Sequence, residues 1–329
     1  MTTLAPRPSS LAPGFLPDLA AIRAAQVRIA PHVHRTPVLT SDALDAAAGA
    51  KLFFKCENFQ RIGAFKARGA VNAVFSLSEV QAAKGVVTHS SGNHGAALAY
   101  AAARRGIRAF VVMPENTVQV KRENVRALGA TIHFCAPNPL AREAMCSDVQ
   151  RDTGAVLIHP FDDVDVIAGQ GTAAVELLED VPGLEAVIAP IGGGGLLSGT
   201  AIAAKGMHPA IRVFGAEPAN ADDAQRGFRS GRVEPVSPTV TIADGLRSPV
   251  CERTLGAIRA HVEAIGTASE EAIIRAMRLT WEKMRIIVEP SCAVPLACLL
   301  ERSLGVTGRR VGIVLSGGNV DLDRLPWQA

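Results

Sequence analysis

Short apolar runs alternate with helical patterns along most of the chain. The runs typical of strands are KLFFKCE (51–57), GVVTHS, IRAFVVMP, TIHFCA, EAVIAPI, IRVFGAE, RIIVEP and RVGIVLS. Helical patterns lie between the earlier runs, at 66–78, in the segments ending at Gly106 and Gly129, and near 139–152. A strand followed by a helix, repeated, is the signature of parallel sheets covered by helices, so the sequence predicts an α/β fold. Because such sheets bind ligands at the carboxyl ends of their strands, the turns after the strands are where chemistry is expected.

Composition narrows the class of protein. The chain has 329 residues, which is about two domains by length, and 48% of them are apolar, enough for a sizeable core. The formal charge is only +3 and the basic residues form no stripe, which argues against nucleic acid as a partner. No uncharged apolar stretch approaches the roughly 18 residues that a membrane span needs, so no membrane partner is expected.

The cysteines and the first residues of the chain are the features that indicate a cellular location, and both favour the cytoplasm. The six cysteines form no CxxC pair and no regular framework, which is typical of reduced cysteines in a cytoplasmic protein. The first residues, MTTLAPRPSSLAPG, are rich in proline and serine and lack the basic-then-apolar order of a signal peptide. We therefore expect residues 1–14 to be a disordered tail.

The strongest single motif is IGGGGLLSGT (191–200), which follows a strand run and leads into a helix. The four glycines, Gly192, Gly193, Gly194 and Gly195, cost conformational entropy, and they are useful where backbone must wrap closely around a guest such as phosphate. No Lys-Ser/Thr pair follows, so the loop is not a Walker motif. The alternative is a flexible turn.

Two further turns follow strands. SSGNHG (90–95) opens a helix and gathers hydroxyls, an amide and an imidazole at a helix N-terminus suited to an anion. Simple capping by Ser90 or Ser91 explains the same pattern about as well. LSGGN (315–319) offers the hydroxyl of Ser316 at the end of the last strand, although many ordinary turns look like this.

Lys66 lies in RIGAFKARGA (61–70) among small and apolar residues, where most lysines do not lie. A lysine in an apolar setting tends to have a lowered pKa and can act as an amine nucleophile. Pyridoxal phosphate carries an aldehyde for such a lysine and a phosphate for the tetraglycine loop. One ligand therefore joins both motifs. The alternative is a lysine that only pairs with a surface acid.

Taken together, these motifs resemble a known enzyme family. KCENFQRIGAFKARGA, THSSGNHG, PIGGGGLLSG, EPANADD, TIADG and LSGGN occur in the order found in fold-type II pyridoxal-phosphate enzymes, whose fold is like that of the tryptophan synthase β subunit. The resemblance covers residues 25–323. Its nearest branch holds serine racemases, threonine/serine dehydratases and 3-hydroxyaspartate dehydratases. The motifs are specific for fold and cofactor, and less so for substrate.

The resemblance implies roles for the cofactor-binding residues. Lys66 forms the Schiff base and is the base on one face of the cofactor, and Phe65 lies against it. Asn93 binds the ring hydroxyl, and Ser316 binds the pyridine nitrogen. Gly192–Gly195 and the Leu196 amide hold the phosphate, while Gly245 packs against the ring. A neutral partner such as Ser316 is expected to favour elimination over transamination.

The resemblance also implies which residues contact the substrate. Ser91 matches the serine that faces Lys66 across the cofactor in serine racemases, where many threonine dehydratases have alanine. The residues that match groups near the substrate carboxylate are Ser90, Asn93, His94 and Arg142. Ser248 closes on the substrate. Two departures argue against a pure racemase: Ala64 stands where much of the family has serine, and Phe161 stands where racemases carry a polar residue.

EPANADD suggests a metal site. Glu217, the carbonyl of Ala221 and Asp223 offer oxygen ligands at i, i+4 and i+6, which suit Mg²⁺, Ca²⁺ or Mn²⁺. Spacing alone favours helix capping by Asn220 or Asp222, with the acids solvated. The resemblance favours a structural divalent cation instead.

The expected architecture has two domains with the cofactor in the cleft between them. Residues 15–84 and 163–329 form a large cofactor-binding domain, and residues 85–162 form a small domain inserted in the chain. Substrate would bridge both and favour closure. The resemblance further implies a homodimer.

Three functions compete. The first is a dehydratase (ammonia-lyase) that converts 3-hydroxyaspartate, L-serine or L-threonine to a 2-keto acid and ammonia by β-elimination. The second is a serine racemase with dehydratase side activity, for which Ser91 would be the second acid. The third is a cofactor-binding protein without turnover, which the set of Lys66, Asn93 and Ser316 disfavours.

Overall fold

The protein is described by a computed structural model that covers residues 15–90, 92–117, 119–236 and 240–328. The strands are β1 (Val38–Leu39), β2 (Lys51–Cys56), β3 (Val86–His89), β4 (Ala109–Pro114), β5 (Thr131–Cys135), β6 (Val156–Leu157), β7 (Ala186–Pro190), β8 (Arg212–Pro218), β9 (Ala264–Ala268) and β10 (Arg310–Leu315). The predicted tail, residues 1–14, lies outside the described residues.

Helices connect and cover these strands. They are α1 (Leu19–Ile29), α2 (Asp42–Ala48), α3 (Lys66–Ser76), α4 (Glu79–Lys84), α5 (Asn93–Arg105), α6 (Gln119–Ala127), α7 (Pro139–Thr153), α8 (Val164–Asp180), α9 (Gly195–Met207), α10 (Asp223–Ser230), α11 (Glu252–His261), α12 (Glu270–Met284) and α13 (Pro290–Leu300). None of these helices is long and apolar enough to cross a membrane.

The strands form two sheets. The larger has the order β1-β2-β10-β7-β8-β9 and is parallel except for β1, a two-residue strand that runs antiparallel at the edge. The smaller has the order β5-β4-β3-β6 and is parallel throughout. The predicted α/β class with parallel-rich sheets and flanking helices is confirmed.

The larger sheet is buried on both faces, which explains why its central strands read as continuous apolar runs. All five residues of β7 are buried. Ile188 lies in one apolar cluster with residues of α12 and α13, whereas Val187 and Ala189 lie in a second cluster with residues of α9 and α11. Successive side chains point to opposite faces of a strand, so one apolar strand supplies both layers.

Carboxyl ends of strands from both sheets carry the motifs found in the sequence. β3 ends directly before Ser90, β7 ends before the tetraglycine loop, and β10 ends before Ser316. An isolated antiparallel bridge between Ala64 and Gly317 ties the segment before Lys66 to the turn after β10. The fold therefore gathers the candidate residues at one place.

The observed strands differ from the sequence prediction at several points, and the two-residue strands β1 and β6 were not predicted. The interpretation of RIIVEP (285–290) as a strand is wrong, because α12 ends at Met284 and α13 begins at Pro290. Ile286 and Val288 are buried and Ile287 is 45% exposed, so buried and exposed side chains do alternate here as they would in a strand. The extended segment has no strand partner: Trp281 Nε1 donates to the Val288 carbonyl, and the Glu289 amide donates to the Gly317 carbonyl. The sequence also missed β9, whose small residues give a weak apolar signal.

Candidate active site

Lys66 is the first residue of α3 and faces a cleft. Its Nζ donates to the carbonyl oxygen of Pro160 at 2.9 Å and lies 5.1 Å from the centroid of the Phe65 ring. Part of the side chain remains exposed, but the amine is packed densely enough that burial lowers its pKa to about 8. The Phe65 amide donates to the Ser316 carbonyl at 3.0 Å, so Lys66 is held beside the end of β10.

A strained turn precedes Lys66. Ile62 has φ +57° and Gly63 has φ +71°, and a β-branched residue in the left-handed region is a genuine outlier. The side chain of Asn319 holds this turn by donating from Nδ2 to the Ile62 carbonyl at 2.8 Å. A Cβ at Gly63 would lie 2.5 Å from Asn319 Oδ1, so a side chain there would displace the amide. Glycine is thus required at position 63 for two reasons: its positive φ and its close approach to Asn319.

The tetraglycine loop is closely surrounded. A Cβ at Gly192 would lie 2.9 Å from the Gly245 carbonyl, and one at Gly193 would lie 2.1 Å from the ring of Phe161. Gly194 has φ +83° and is the N-cap of α9. The first amides of a helix have no partner within it, so the start of α9 offers donors to an anion. The loop therefore has the close backbone approach and the donors that a phosphate requires.

Gly194→Ala is expected to weaken cofactor binding at least tenfold and to lower the melting temperature. Alanine there requires a strained φ, and its Cβ would lie 2.8 Å from Thr254 Cβ. The matched control is Gly256→Ala within α11, where a Cβ meets nothing within 4 Å, so binding should stay unchanged. Cofactor titration by fluorescence and thermal unfolding provide the readouts. Equal affinity in both variants would contradict the phosphate role of the loop.

Thr254 is a site residue that the sequence did not reveal. Its Oγ1 donates to the Gly193 carbonyl at 2.9 Å, which turns that carbonyl away from the amides of the loop. The Gly245 amide similarly donates to Ser291 Oγ at 3.0 Å, and this bond fixes the turn predicted to pack against the cofactor ring. Neither hydroxyl lies in a motif, and both act from distant segments, so the sequence carried no signal for them.

Ser316 follows a strand of the larger sheet, and Asn93 follows a strand of the smaller sheet. Ser316 is buried directly after β10, and Asn93 is the first residue of α5. The amide of Asn93 contacts Glu289, a buried acid that the sequence did not single out. The sequence did contain a signal for this residue, because Glu289 is a single acid at the end of the apolar run RIIVEP.

The predicted substrate residues are spread around the cleft. The Ser90 amide donates to Val112, and Ser90 Oγ accepts from the Gly92 amide at 3.3 Å, although the N-cap of α5 is Gly92. His94 is buried, with Nε2 3.2 Å from the Ile158 carbonyl and a pKa well below its ordinary value because of burial and Lys66. Ser248 is exposed in an irregular segment. Ser91 lies outside the described residues.

Arg142 lies in the first half of α7, near enough to His89 to lower the pKa of that imidazole together with burial, the larger cause. His89 is the last residue of β3, so Arg142 faces the carboxyl end of that strand. The substrate roles of Ser90, His94, Arg142 and Ser248 stay predictions.

Two histidines and Phe161 form an aromatic row beside Lys66. His89 and His159 meet edge to face with centroids 5.2 Å apart, and His159 meets Phe161 at 4.7 Å. His159 Nδ1 accepts from the Asp162 amide at 2.8 Å, which shapes the turn that places Phe161 against the tetraglycine loop. Burial lowers the pKa of His159 to about 4, so this ring is neutral at pH 7. Sequence reasoning noticed Phe161 but missed His159.

The comparisons with known proteins agree with this geometry. Residues 29–317 match the family model described as pyridoxal-phosphate dependent enzyme, and the chain belongs to that family. The chain is 51% identical to a beta-hydroxyaspartate dehydratase of Paracoccus denitrificans (strain Pd 1222), over 95% of this chain and 99% of that protein. Its fold is similar to maize serine racemase, with a TM-score of 0.92 and 48% identity over 95% and 97% of the two chains. It is also similar to a threonine deaminase of T.th., with a TM-score of 0.87 and 44% identity over 93% and 99%.

The protein is thus a pyridoxal-phosphate-dependent enzyme of the fold-type II class, as its motifs predicted. The residues present fit that cofactor, because the Lys66 amine, with its lowered pKa, is bonded to the Pro160 carbonyl, and the next residue, Phe161, packs against the glycine loop at the start of α9.

Proposed function

We propose that the protein is a dehydratase of a β-hydroxy amino acid, with 3-hydroxyaspartate as the substrate to test first. The observation that carries the proposal is the Lys66 amine, whose pKa is lowered to about 8 in a cleft beside the glycine cradle. The identity to a beta-hydroxyaspartate dehydratase supports the choice of substrate. A serine racemase with dehydratase side activity is the second candidate, since serine racemases share the fold and 46% identity.

The chain's own residues can perform the proton transfers of elimination. Pyridoxal phosphate, when bound, withdraws electrons from the substrate α-carbon and so makes the α-proton removable. Lys66 can take up that proton because an amine with a pKa of about 8 is partly unprotonated near neutrality. The Pro160 carbonyl orients the amine through its 2.9 Å hydrogen bond. The β-hydroxyl then leaves as water with the proton that Lys66 has taken up, and the enamine product reacts with water to give a 2-keto acid and ammonia.

Charge near the site supports a substrate with a carboxylate group. The imidazoles of His89, His94 and His159 have lowered pKa values through burial, so they bring no positive charge at pH 7. Arg142, at the carboxyl end of β3, remains to pair with a carboxylate. In this proposal the guanidinium binds the substrate carboxylate, and the neutral rings shape the space around the β-carbon.

A panel of substrates tests the proposal. The holoenzyme is incubated with L- and D-serine, L-threonine and the stereoisomers of 3-hydroxyaspartate, and keto acid and enantiomer content are measured. We expect the highest kcat/KM with one isomer of 3-hydroxyaspartate. Full cofactor binding without keto acid from any of them would favour the binding protein without turnover.

Ser91→Ala separates elimination from racemisation. Removal of the α-proton needs Lys66 alone, whereas delivery to the other face needs a second acid. The variant should keep dehydration of the preferred substrate within about tenfold, a change of about 1.4 kcal/mol in barrier. It should lose L-to-D conversion and D-serine dehydration, both read by chiral analysis. Persistent racemisation would show that Ser91 is not the second acid.

We also propose a divalent cation at Glu217, the Ala221 carbonyl and Asp223. All three residues are buried, and neither carboxylate oxygen of Asp223 has a hydrogen-bond partner in the described structure. The amide of Val250 lies near enough to act on Asp223, but without hydrogen-bond geometry. Glu217 accepts from the Ala224 and Gln225 amides at 3.1 and 2.8 Å. No group of three or more His, Cys, Asp and Glu side chains among the described residues could hold a metal, so water must complete this site.

The electrostatics of these two carboxylates fit a bound cation. Burial and then Asp223 raise the pKa of Glu217 well above its ordinary value, and burial raises that of Asp223 from 3.8 to about 6. Two adjacent buried carboxylates repel each other when ionised, and a hard cation would relieve that repulsion. Mg²⁺, Ca²⁺ and Mn²⁺ all prefer such oxygen ligands.

Removal of the metal should create a pH-dependent loss of stability. Because the folded pKa of Asp223 is raised, the stability of the metal-free protein is greatest below about pH 4 for this group and falls as pH rises through about 6. Added Mg²⁺, Ca²⁺ or Mn²⁺ at about 100 times its dissociation constant should restore about 2.7 kcal/mol. The measurement is thermal unfolding of chelated protein from pH 5 to 8, with elemental analysis. Asp223→Asn is the control and should not respond to metal. An unchanged melting temperature after chelation, with no metal found, would contradict the site.

Domain organisation and assembly belong to the same proposal. The smaller sheet draws its strands from Val86–Leu157, which supports a small domain of residues 85–162 inserted into a large one. A homodimer and a cytoplasmic location stay predictions. The six cysteines are free, and five of them are buried, which suits a reducing compartment.

A further inference from the structure

The amide of Asn93 is held from two sides. Its Nδ2 lies 3.0 and 3.3 Å from the two carboxylate oxygens of Glu289, and its Oδ1 accepts from Asn319 Nδ2 at 2.9 Å. Rotating the amide by 180° would set oxygen against carboxylate and place two amide nitrogens, both donors, together. The orientation of Asn93 is therefore dictated by its neighbours. A single N–H that points between the two carboxylate oxygens can make both contacts, which leaves the second N–H for another acceptor.

Asn319 joins this amide to the turn before Lys66. The same Nδ2 that donates to Asn93 also donates to the Ile62 carbonyl at 2.8 Å. Its backbone amide donates to Glu289 Oε2 at 3.1 Å. Both N–H bonds of the side chain are used, and Gly63 provides the space for the amide. One residue thus contacts the lysine turn, the first residue of α5 and the buried acid.

Glu289 is buried, and its hydrogen bonds come from the neutral amides of Asn93 and Asn319. Burial and then Asp244 raise the pKa of its carboxyl, the bonds from the two asparagines and the charge of Lys121 lower it, and the net pKa is about 7. Lys121, from α6, is itself paired with Asp244 at 2.9 Å. The Cys292 thiol in α13 also interacts with Glu289, and burial raises the pKa of that thiol, so it stays protonated.

We propose that Glu289 and Asn319 are positioning residues that fix the amide of Asn93, so that its remaining N–H donates to the ring hydroxyl oxygen of bound pyridoxal phosphate. The inference rests on the cofactor placement in the proposed function and adds two residues to it. A donor at this oxygen stabilises its deprotonated form, which a rotated amide would not do. A carboxylate holds the amide more firmly than a carboxylic acid, because the acid has one oxygen that must itself donate.

The cofactor's absorbance tests the proposal without substrate. Protonated and deprotonated ring hydroxyl give separate absorbance bands, whose ratio is recorded from pH 6 to 9 for the holoenzyme and its variants. The wild-type ratio should change with a midpoint near the pKa of Glu289, about 7. Glu289→Gln should lose that midpoint and bind cofactor about tenfold more weakly. Asn319→Ala should keep the midpoint but shift the ratio at every pH. Glu301→Gln, another acid that accepts two hydrogen bonds, both from Ser269, should behave as wild type.

The outcomes separate a positioning role from a structural one. A wild-type band ratio in Glu289→Gln, whether or not its melting temperature falls, overturns the proposal. If Glu289→Gln does not fold, Asn319→Ala decides, and an unchanged ratio overturns the proposal as well. The expected band shifts in a protein that releases no keto acid would refute the dehydratase but leave this inference intact. If the wild type releases keto acid but its absorbance-band ratio does not change with pH, the dehydratase is supported and this inference is refuted.

Discussion

Replacing Lys66 with alanine should abolish both turnover and the visible absorbance of a lysine-bound cofactor. The Lys66 amine lies in the cleft with a pKa lowered to about 8, so it can act as a nucleophile and as a base. Alanine removes both functions at once. We expect keto acid release to fall by at least about a thousandfold, or about 4 kcal/mol in barrier. The variant should still bind pyridoxal phosphate weakly through the glycine cradle, as fluorescence titration would show.

A second buried lysine makes this prediction specific. Lys55 in β2 is fully buried, but its Nζ donates to the Thr36 carbonyl at 2.7 Å and pairs with Glu176 at 2.6 Å. These two contacts occupy its amine, whereas the Lys66 amine lies beside Pro160 and Phe65. Borohydride reduction of the holoenzyme, followed by peptide mass spectrometry, should therefore place the pyridoxyl group on Lys66. Label on Lys55, or on any other lysine, would refute the assignment, while Lys84→Ala should leave the spectrum unchanged.

The sequence could predict the elements whose signal is local. The tetraglycine loop, the start of α9 and Lys66 each stand out within ten residues of chain, because glycine runs and lysines among apolar residues are rare. Most of the longer parallel strands were found for the same reason, since both of their faces are apolar. The capping interpretation of SSGNHG was also local. The N-cap of α5 is Gly92, and Ser90 Oγ accepts from the Gly92 amide, so Ser90 stabilises the turn before the helix and does not cap it.

The sequence could not predict contacts that join distant segments. Glu289 and Asn93 are separated by 196 positions, and Asn319 and Ile62 by 257. Nothing local distinguishes Glu289 from a solvated acid until the fold buries it beneath α5. The strand prediction for RIIVEP was wrong because alternating burial does not require a strand. An extended segment between two packed helices shows the same alternation. The proposed metal site differs again, since spacing favoured capping. The burial of Glu217 and Asp223, and the lack of a hydrogen-bond partner for the carboxylate oxygens of Asp223 among the described residues, argue for a cation.

Arg68 shows how the motif around Lys66 is anchored. Its guanidinium is fully buried and makes paired hydrogen bonds to Glu57, at 2.7 and 2.8 Å, and to Glu176, at 2.8 and 2.7 Å. It also donates to Thr172 Oγ1 at 3.1 Å. Burial alone would lower the pKa of this guanidinium, but the two carboxylates raise it above its ordinary value, so it stays charged. Arg68 therefore ties α3, two residues after Lys66, to α8 and to the turn after β2.

Arg68→Met should destabilise the protein by about 3–5 kcal/mol, because it leaves Glu57 and Glu176 buried with Lys55 as the one remaining cation in direct contact with the cluster. Lysine keeps the charge but cannot make both paired contacts. The stability of Arg68→Lys should therefore lie between that of the wild type and that of Arg68→Met. The measurement is the urea midpoint of unfolding. Arg278→Met removes an exposed pair with Glu282 and should cost at most about 0.5 kcal/mol. Combining Arg68→Met with Glu57→Gln should recover part of the loss, because it removes one uncompensated charge. Equal midpoints for Arg68→Met and Arg278→Met would show that the buried cluster does not hold the lysine helix in place.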